Sequence, residues 1–391
     1  MRFSGSRLSA GLLMAAVLVS SPAAAFSPAS QAAIAAYEAS WRLATLIPWG
    51  KGAGQLEQQI RSNDPNLISR GPGSILAFEG GSFAVLDTLG ASIKEFDASG
   101  KPTRQLSFPA FGADRSRTTA IDMASSGPGE YWLLSGTKNV VLHVRNGQRA
   151  ETLPVRTATR NSLLMAISRD AGGTLYLLDG DDGALHRMDG AGHPLPRVHH
   201  KDLKGMTIDS KGHVYDLRLA GKTDARHLQL VRWRIEDQAA RTGASEPGFE
   251  GLEQSGPSLQ STVVAQVESD REVNRMDVFG VDDAGNIYVS WAAGAVENPS
   301  RREVVRFDSS GAITGRSPCP PDPVELKFTH AKVVSPDGAV LAVRVRDTGL
   351  EVLRLEQWGT GGPASPTPAK EKKPEAPAGN QPASDLDFGR P

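Results

Sequence analysis

Cysteine is almost absent from this sequence of 391 residues, in which Cys319 is the single example. A lone thiol cannot form a disulfide within the chain, so the fold must be stabilised by its core. Cys319 lies among prolines in the segment Ser317–Pro321, where we expect a turn-rich stretch and an inert thiol. It is also too far from the N-terminus to be the lipid-attachment cysteine of a lipoprotein.

The sequence also has no excess of either positive or negative charge. The 43 lysines and arginines are balanced by 44 aspartates and glutamates, and no block of five or six like charges occurs. Nucleic-acid binding relies on clustered basic residues that neutralise phosphates, so this composition argues against that function. A peripheral membrane protein would need a basic face, and none is visible either.

The motifs of common catalytic and metal sites are missing as well. The eight histidines show no His-x-x-x-His or His-Glu-x-x-His spacing. We expect the adjacent pair His199 and His200 to be solvated, because neighbouring side chains of a strand point to opposite faces. Gly50–Gly54 lacks the Gly-Lys-Ser/Thr ending of a phosphate-binding loop, and no Gly-x-Ser-x-Gly elbow is present. These absences favour a protein without catalytic activity.

The first 25 residues have the pattern of a secretory signal peptide. Arg2 and Arg7 precede the apolar run Leu8–Val19, and Ser21–Ala25 supplies small residues in an Ala-x-Ala arrangement. Such a run is too short for a spanning helix, although an uncleaved N-terminal anchor remains an alternative. No later stretch approaches 18 apolar residues. We therefore expect an exported protein, periplasmic or secreted, and the missing disulfides favour a bacterial envelope.

A strand–turn–strand unit repeats along the chain. Its clearest copies begin at Asp170–Gly173 and Asp282–Gly285, continue with an apolar–Tyr–apolar run, and end in a second Asp-x-x-Gly turn at Asp189–Gly192 and Asp308–Gly311. In such a hairpin the Asp caps the turn, and the Gly adopts the positive φ that the turn requires. Looser copies raise the number of units to six. Their first-turn glycines are Gly81, Gly129, Gly173, Gly212, Gly285 and Gly338.

Most of these glycines follow one another at about the 40–50 residues of a four-stranded propeller blade. The sequence therefore predicts an all-β, six-bladed β-propeller over residues 43–359. The long gap between Gly212 and Gly285 contains the Gly-, Ser- and Glu-rich stretch Ala239–Ser258, which we interpret as a surface insertion in the fourth unit. A seventh blade hidden in this gap is the alternative.

The two ends of the predicted propeller differ in composition. Residues 26–42 are expected to form a short helical lead-in with an apolar stripe of Ile34, Tyr37 and Trp41, and Leu43–Ile47 is expected to be a strand that pairs into the last unit. Residues 360–391 are rich in Pro, Ala and Lys and are expected to be a disordered tail. Its closing Asp385–Phe388 segment is either featureless or a short partner-binding peptide.

The doublet of Asp-x-x-Gly-x-apolar-Tyr followed by Phe-Asp-x-x-Gly resembles the NHL-type and TolB-like six-bladed propellers. The resemblance covers about residues 43–359, and it includes Trp49–Gly50 and Gly71–Pro72, which are similar to the lead-in of such repeats. Propellers of this kind include protein- and RNA-binding modules, lyases and lactonases. The resemblance therefore implies an architecture and leaves the activity open.

The candidate site is the set of loops that follow the second strand of each unit, where a propeller's central channel opens. The residues singled out there are Asp87, Asp179, Asp181, Asp182, Asp216 and Trp291. Several carboxylates around one axis suit Ca²⁺, which takes six to eight oxygen ligands. The competing interpretation is that each aspartate caps its own turn, in which case no cofactor is needed.

The function that these observations favour is a non-catalytic binding or scaffold propeller of the bacterial cell envelope. We expect it to be a monomer that binds an envelope protein or a small ligand, without nucleic acid and without a transmembrane segment after signal cleavage. One alternative is a metal-assisted hydrolase or lyase of the lactonase type. Another is an envelope glycan-binding propeller with Trp291 as an exposed stacking platform.

Overall fold

The computed structural model describes most of the chain between residues 39 and 359. The described ranges are 39–59, 71–108, 120–136, 138–155, 163–181, 183–199, 207–221, 224–236, 257–269, 271–294, 299–320 and 328–359. Within them, 24 strands form six antiparallel sheets of four strands each. We call these sheets blades 1 to 6.

Blades 1 to 3 are each built from four consecutive strands. Blade 1 contains β2 (Ile75–Ala77), β3 (Phe83–Asp87), β4 (Ser92–Phe96) and β5 (Pro102–Ser107), with a 3₁₀ turn at Glu79–Gly81. Blade 2 contains β6 (Ala120–Gly127), β7 (Glu130–Ser135), β8 (Val140–Arg145) and β9 (Gln148–Pro154). Blade 3 contains β10 (Leu164–Arg169), β11 (Leu175–Asp179), β12 (Ala184–Met188) and β13 (Pro194–His199).

Blades 4 and 5 follow the same plan, whereas blade 6 takes its fourth strand from the N-terminal end. Blade 4 contains β14 (Thr207–Ile208), β15 (Val214–Leu219), β16 (His227–Glu236) and β17 (Ser258–Glu268). Blade 5 contains β18 (Val273–Val281), β19 (Ile287–Gly294), β20 (Pro299–Phe307) and β21 (Ile313–Pro318). Blade 6 contains β22 (Lys332–Val334), β23 (Val340–Arg346), β24 (Gly349–Leu355) and β1 (Trp41–Pro48).

The first strands of the blades form the inner ring of the propeller. Each lies at one edge of its sheet, and neighbouring first strands contact one another all the way round, from β2 through β6, β10, β14 and β18 to β22 and back to β2. This closed ring surrounds the central channel. The predicted six-bladed propeller is therefore confirmed.

The core lies between the blades rather than within them. Side chains alternate along each second strand, so Phe83 and Val85 pack against blade 6 while Ala84 and Leu86 pack against blade 2. Each of the six buried clusters belongs to one pair of neighbouring blades. Because both faces of these strands are buried, strands such as β3 and β11 are apolar at every position before their final aspartate.

The turn glycines of all six units have the conformation that the sequence predicts. Their φ angles are all positive, from 76° at Gly81 to 92° at Gly173. This is the left-handed region, in which a residue with a Cβ is strained. The repeat identified in the sequence therefore marks the turn between the first and second strands of every blade.

The closing strand is also where the sequence placed it, although it is longer. β1 pairs antiparallel with β24, from Trp41 opposite Leu355 to Pro48 opposite Gly349. Trp41 begins this strand and donates its Nε1–H to the carbonyl of Pro318, at 2.6 Å. The assignment of Trp41 to a helical stripe was therefore wrong, because pairing with β24 and burial against blade 5 outweigh the local helical spacing.

The long fourth unit is a single blade. β16 and β17 pair directly over their whole lengths, from His227 opposite Glu268 to Glu236 opposite Ser258. The insertion therefore lies between the third and fourth strands of this blade, and the alternative of a seventh blade is not supported by the part of the chain that the structure describes.

Several predictions concern residues outside the described ranges. These are the signal peptide at 1–25, most of the lead-in at 26–42, the tail at 360–391, His200 and Asp182. Among the described residues, no helix has the length and apolar character needed to cross a membrane.

Candidate functional site

The two ends of the channel are formed by different connections. At one end lie the turns between first and second strands, which we call the turn end. At the other end lie the connections from one blade to the next and the loops after each second strand, which we call the inter-blade mouth. The sequence placed the candidate site at this mouth.

At the turn end, a repeated Asp–Tyr pair holds the hairpins. Asp170 accepts the backbone N–H of Thr174 at 2.8 Å through one carboxylate oxygen and the hydroxyl of Tyr176 at 2.9 Å through the other. The same bonds join Asp209 to Tyr215 in blade 4 and Asp282 to Tyr288 in blade 5.

Burial raises the pKa of each of these three tyrosines, and its aspartate partner raises it further. The hydroxyls therefore remain protonated donors. The turns between the third and fourth strands of blades 1, 3 and 5 are capped in a similar way. Their aspartates, Asp97, Asp189 and Asp308, each accept backbone N–H groups of their own turn. These acids cap turns, as the second interpretation of the sequence proposed.

At the inter-blade mouth, no single residue type is shared by all six blades. The position six residues after the turn glycine is structurally equivalent in all blades. It is occupied in order by Asp87, Ser135, Asp179, Arg218, Trp291 and Arg344. The fold repeats here while the chemistry does not, which is typical of a surface where binding rather than stability determines the side chains.

The carboxylate of Asp87 is held by an ion pair and by backbone hydrogen bonds. It is fully buried, forms an ion pair with Lys94 at 2.9 Å, and accepts the backbone N–H groups of Gly90 and Glu57 at 3.1 and 3.3 Å. Lys94 also donates to the carbonyl of Gln55. Asp87 therefore ties the segment before blade 1 to this blade and is not open to the channel.

Asp179 has a similar role in blade 3. It is 1% exposed, accepts the backbone N–H of Asp181 at 3.0 Å and lies 3.3 Å from Nε2 of His186. Asp181 itself is exposed. Asp179 therefore caps its own turn.

Asp216 and Trp291 do not fit the predicted arrangement. Asp216 lies four rather than six residues after its turn glycine, opposite Val231 inside blade 4, and is 5% exposed. Trp291 is 4% exposed in the apolar cluster between blades 4 and 5, with the guanidinium of Arg316 over its ring. The expectation of an exposed stacking platform was wrong, because this side chain faces the neighbouring blade.

The described residues contain no group of three or more His, Cys, Asp or Glu side chains that is arranged to hold a metal ion. The carboxylates singled out as calcium ligands are instead distributed over separate turns. The channel contains a different cluster of ionisable groups, which the sequence did not indicate.

This cluster consists of His330, Asp122 and Asp277. His330 lies just before β22 in blade 6, and its Nε2 is 3.2 Å from Oδ2 of Asp122 on β6 in blade 2. The charge of Asp277, on β18 in blade 5, also acts on this imidazole. We call these three residues the channel triad.

The register of the inner strands shows why these residues meet. Asp122 pairs with Leu134 and Asp277 pairs with Ser290, and both partners lie five residues after the turn glycine of their blade. The two aspartates therefore stand at the same height of the ring. Blades 2 and 5 are three apart in a ring of six, so the two aspartates lie on opposite sides of the ring, and the charges of both act on His330.

Asp122 is the buried member of the triad. Its side chain has no exposed surface, and Oδ2 accepts the backbone N–H of Ile167 at 2.8 Å in addition to its contact with His330. Its Oδ1 is buried without a hydrogen-bond partner among the described residues. A carboxylate oxygen in this state costs free energy until a donor reaches it.

The two aspartates control the protonation of His330. Burial lowers the pKa of this imidazole, but attraction to Asp122, their hydrogen bond and the charge of Asp277 outweigh burial, so the pKa lies above its usual 6.5. The side chain is 26% exposed. The mouth therefore carries an imidazole that is more readily protonated than a free histidine and that is held by a carboxylate.

An apolar rim lies beside the triad. Leu163 is 49% exposed and Met165 is 43% exposed, at the start of the inner strand that also carries Ile167. Gly180 donates its N–H to the carbonyl of Leu163, and a Cβ at Gly180 would lie 2.5 Å from the sulfur of Met165. The glycine leaves room for Met165 at the mouth.

One signal in the sequence points to part of this site. Asp122 stands in the apolar strand Ala120–Met123, where a charge needs a partner from elsewhere in the fold. His330 has no such signal, because its partner lies 208 residues away in the chain.

The fold and site together define a six-bladed β-propeller, closed by its N-terminal strand, with an ionisable triad in the channel. No family model matches the chain, and no curated protein matches it. Similar solved structures include a gluconolactonase from Xanthomonas campestris with 14% identity, 81% of this chain and 99% of that chain covered, and a TM-score of 0.43.

A putative gluconolactonase has 11% identity, covers 81% of this chain and 94% of its own, and gives a TM-score of 0.44. A streptogramin B lyase has 10% identity, covers 82% of this chain and 99% of its own, and gives a TM-score of 0.43. At these values the similarity carries no argument about activity, and the propeller assignment rests on the strand pairing.

Proposed function

We propose that this chain is an exported, non-catalytic binding propeller of the bacterial cell envelope. It holds a ligand at the inter-blade mouth, and the ligand combines an apolar part with a hydrogen-bond donor. The observation that carries the proposal is the position of His330 between two opposed aspartates, next to exposed apolar side chains.

The chemistry of this mouth is that of a binding pocket. Ligand sites are typically apolar surfaces with a few polar groups that orient the ligand. Leu163 and Met165 supply the apolar surface, His330 supplies a charged donor, and Asp277 supplies an exposed acceptor.

A ligand screen tests this proposal. The mature chain, residues 26–391, is mixed with amines, alcohols and organic acids that carry apolar groups, and thermal shifts identify ligands for calorimetry. We expect His330→Ala and the double variant Leu163→Ser/Met165→Ser each to weaken binding at least tenfold.

The control is His193→Ala. His193 forms a similar pair with Asp189 at 2.9 Å, but in an exposed outer turn of blade 3. Its substitution should leave the affinity unchanged. A screen without any stabilising compound, or a ligand whose affinity survives both mouth variants, would refute the proposed site.

Export is tested separately. A C-terminally tagged full chain is expressed in bacteria, and the periplasm, medium and cytoplasm are compared with those of a variant lacking residues 1–25. Export predicts that only the full chain leaves the cytoplasm. Equal distribution of the two proteins would contradict it.

The second candidate function is a hydrolase or lyase, and one observation favours it. A histidine with a raised pKa, oriented by a buried carboxylate, is an arrangement suited to general acid catalysis. Mass spectrometry of the bound ligand after incubation separates the two functions. Recovery of intact ligand supports binding, whereas product formed by the wild type and His193→Ala but not by His330→Ala supports catalysis.

A further inference from the structure

The chain around His330 contacts blades 1 and 2 as well as its own blade 6. Thr329 donates its N–H to the carbonyl of Gly73 in blade 1, at 2.9 Å, and its Oγ1 donates to the carbonyl of Ile121 in blade 2, at 3.2 Å. His330 forms a parallel bridge with Ser74 and pairs with Asp122. We call residues 329–331 the clasp.

The clasp joins blades that are not neighbours. It begins blade 6, where the carbonyl of Ala331 accepts the N–H of Val343 at 2.9 Å, and it reaches past blade 1 to blade 2. The apolar clusters, by contrast, each join adjacent blades only. The clasp therefore narrows the inter-blade mouth, and its side-chain contacts to blade 2 are polar rather than apolar.

Only one side-chain ion pair holds the clasp to blade 2, and it involves a group that titrates. Asp122 faces His330 from β6, Asp277 and Arg275 lie on β18, and Lys332 follows on the clasp's own strand. β2 presents Ser74, which carries no charge. We propose that the clasp is a pH-sensitive latch over the mouth, closed while His330 is protonated and loosened when it loses its proton.

The sign of the effect follows from the charges. The pKa of His330 in the fold is raised above about 6.5, the value of an unperturbed histidine. The ion pair therefore contributes fully below about pH 6.5, and its contribution is lost as the pH rises through the raised value. Deprotonation leaves the buried carboxylate of Asp122 without a cation and leaves the clasp held by the hydrogen bonds of Thr329 and the bridge to Ser74.

Hydrogen exchange measures the latch without any ligand, so the result does not depend on the proposed function. The full mature chain is exchanged between pH 5 and 9, with correction for the intrinsic pH dependence of amide exchange. We expect the protection of a peptide containing residues 329–331 to fall about tenfold or more as His330 deprotonates. In His330→Asn and Asp122→Asn, protection should be low and independent of pH.

The matched control is His213→Asn. His213 forms the same kind of His–Asp pair, with Asp209 at 2.9 Å. This pair lies at the turn end, outside the clasp. This variant should keep the wild-type pH profile at residues 329–331. Constant protection in the wild type across the range, or a His213→Asn effect as large as that of His330→Asn, would overturn the latch.

A second measurement uses the wild type alone, so it tests the latch even if the variants do not fold. In the wild type, the Cε1–H resonance of His330 is followed by NMR over the same pH range. The latch requires its titration midpoint to lie above about 6.5 and to coincide with the midpoint of the protection change. Midpoints that differ by more than one pH unit would show that the clasp does not respond to His330.

Discussion

The two ends of the channel follow opposite rules. At the turn end, the same Asp and Tyr recur in blades 3, 4 and 5 with the same bonds, and glycine recurs in all six blades. At the inter-blade mouth, the six equivalent positions hold four different residue types. The repeated end stabilises the hairpins, whereas the variable end is where we propose that a ligand binds.

Blade 2 departs from the repeated Asp–Tyr pairing at the turn end. Its Tyr131 donates to Glu95 of blade 1, at 2.8 Å, rather than to an aspartate of its own turn. Glu130 accepts from Arg145, and His143 lies 3.0 Å from the same oxygen. The hydroxyls of these four buried tyrosines therefore all donate to a carboxylate. In blade 2 that carboxylate belongs to the neighbouring blade.

The largest effect on stability is expected at the glycine contact between blades 3 and 4. A Cβ at Gly212 would lie 2.5 Å from the hydroxyl of Tyr176, and the residue has a φ of 80°. We expect Gly212→Ala to lower the free energy of unfolding by about 2–4 kcal/mol, from strain and the clash together.

Two glycines serve as controls for this substitution. Gly80 has a φ of 71° but open space around its Cβ position, so Gly80→Ala should cost about 1–2 kcal/mol from strain alone. Gly221 has its nearest Cβ contact at 3.9 Å and should be nearly neutral. Chemical denaturation measures all three, and equal losses at Gly212 and Gly80 would show that the blade contact is unimportant.

A smaller loss is expected when a tyrosine hydroxyl is removed. Tyr288→Phe leaves Oδ2 of Asp282 without that donor, although Asn286 still donates to it at 2.8 Å. Tyr176→Phe removes a donor from Asp170, whose turn of Ala171–Thr174 contains no side-chain amide to replace it. We expect about 1 kcal/mol for Tyr288→Phe and about 1–2 kcal/mol for Tyr176→Phe in urea unfolding, and the reverse order would contradict this account.

Glu130 makes the turn end of blade 2 sensitive to acid. Its hydrogen bond from Ser126, followed by that from Arg145, lowers its pKa from 4.5 to about 2. A lowered pKa adds stability above the unfolded value near 4.3, and this stability is lost as the pH falls towards 2. We expect Glu130→Gln to cost about 1 kcal/mol at pH 7, because the side chain is partly exposed and solvent screens the pair.

The measurement is urea unfolding of the wild type and Glu130→Gln between pH 7 and 2. The difference between the two proteins should shrink steadily below pH 4 and vanish near pH 2. A difference that stays constant over this range would mean that the carboxylate's charge is not what stabilises the turn.

The smallest effect on stability is expected at the mouth. Leu163→Ser/Met165→Ser changes two exposed side chains and should alter the free energy of unfolding by less than about 0.5 kcal/mol. The same double variant is expected to lose ligand affinity at least tenfold. A large loss of stability would instead place these residues with the core and weaken the distinction between the two ends.

The sequence predicts the repeated end of this molecule much better than the variable one. The Asp-x-x-Gly turns, the six glycines and the closing strand are local patterns, so their periodicity is readable along the chain. Trp41 and Trp291 were misassigned because local spacing does not say which blade a side chain faces. His330 and Asp122 were missed because contacts between distant strands leave no motif.

The pairing of β1 with β24 also has a consequence for how the molecule is made. Trp41 and Leu355 must meet before blade 6 has its fourth strand, so ring closure joins segments from opposite ends of the chain. Contacts of such long sequence separation form slowly, because the chain loses loop-closure entropy before these contacts contribute any stabilising free energy. During synthesis the propeller therefore stays open until its last blade has emerged.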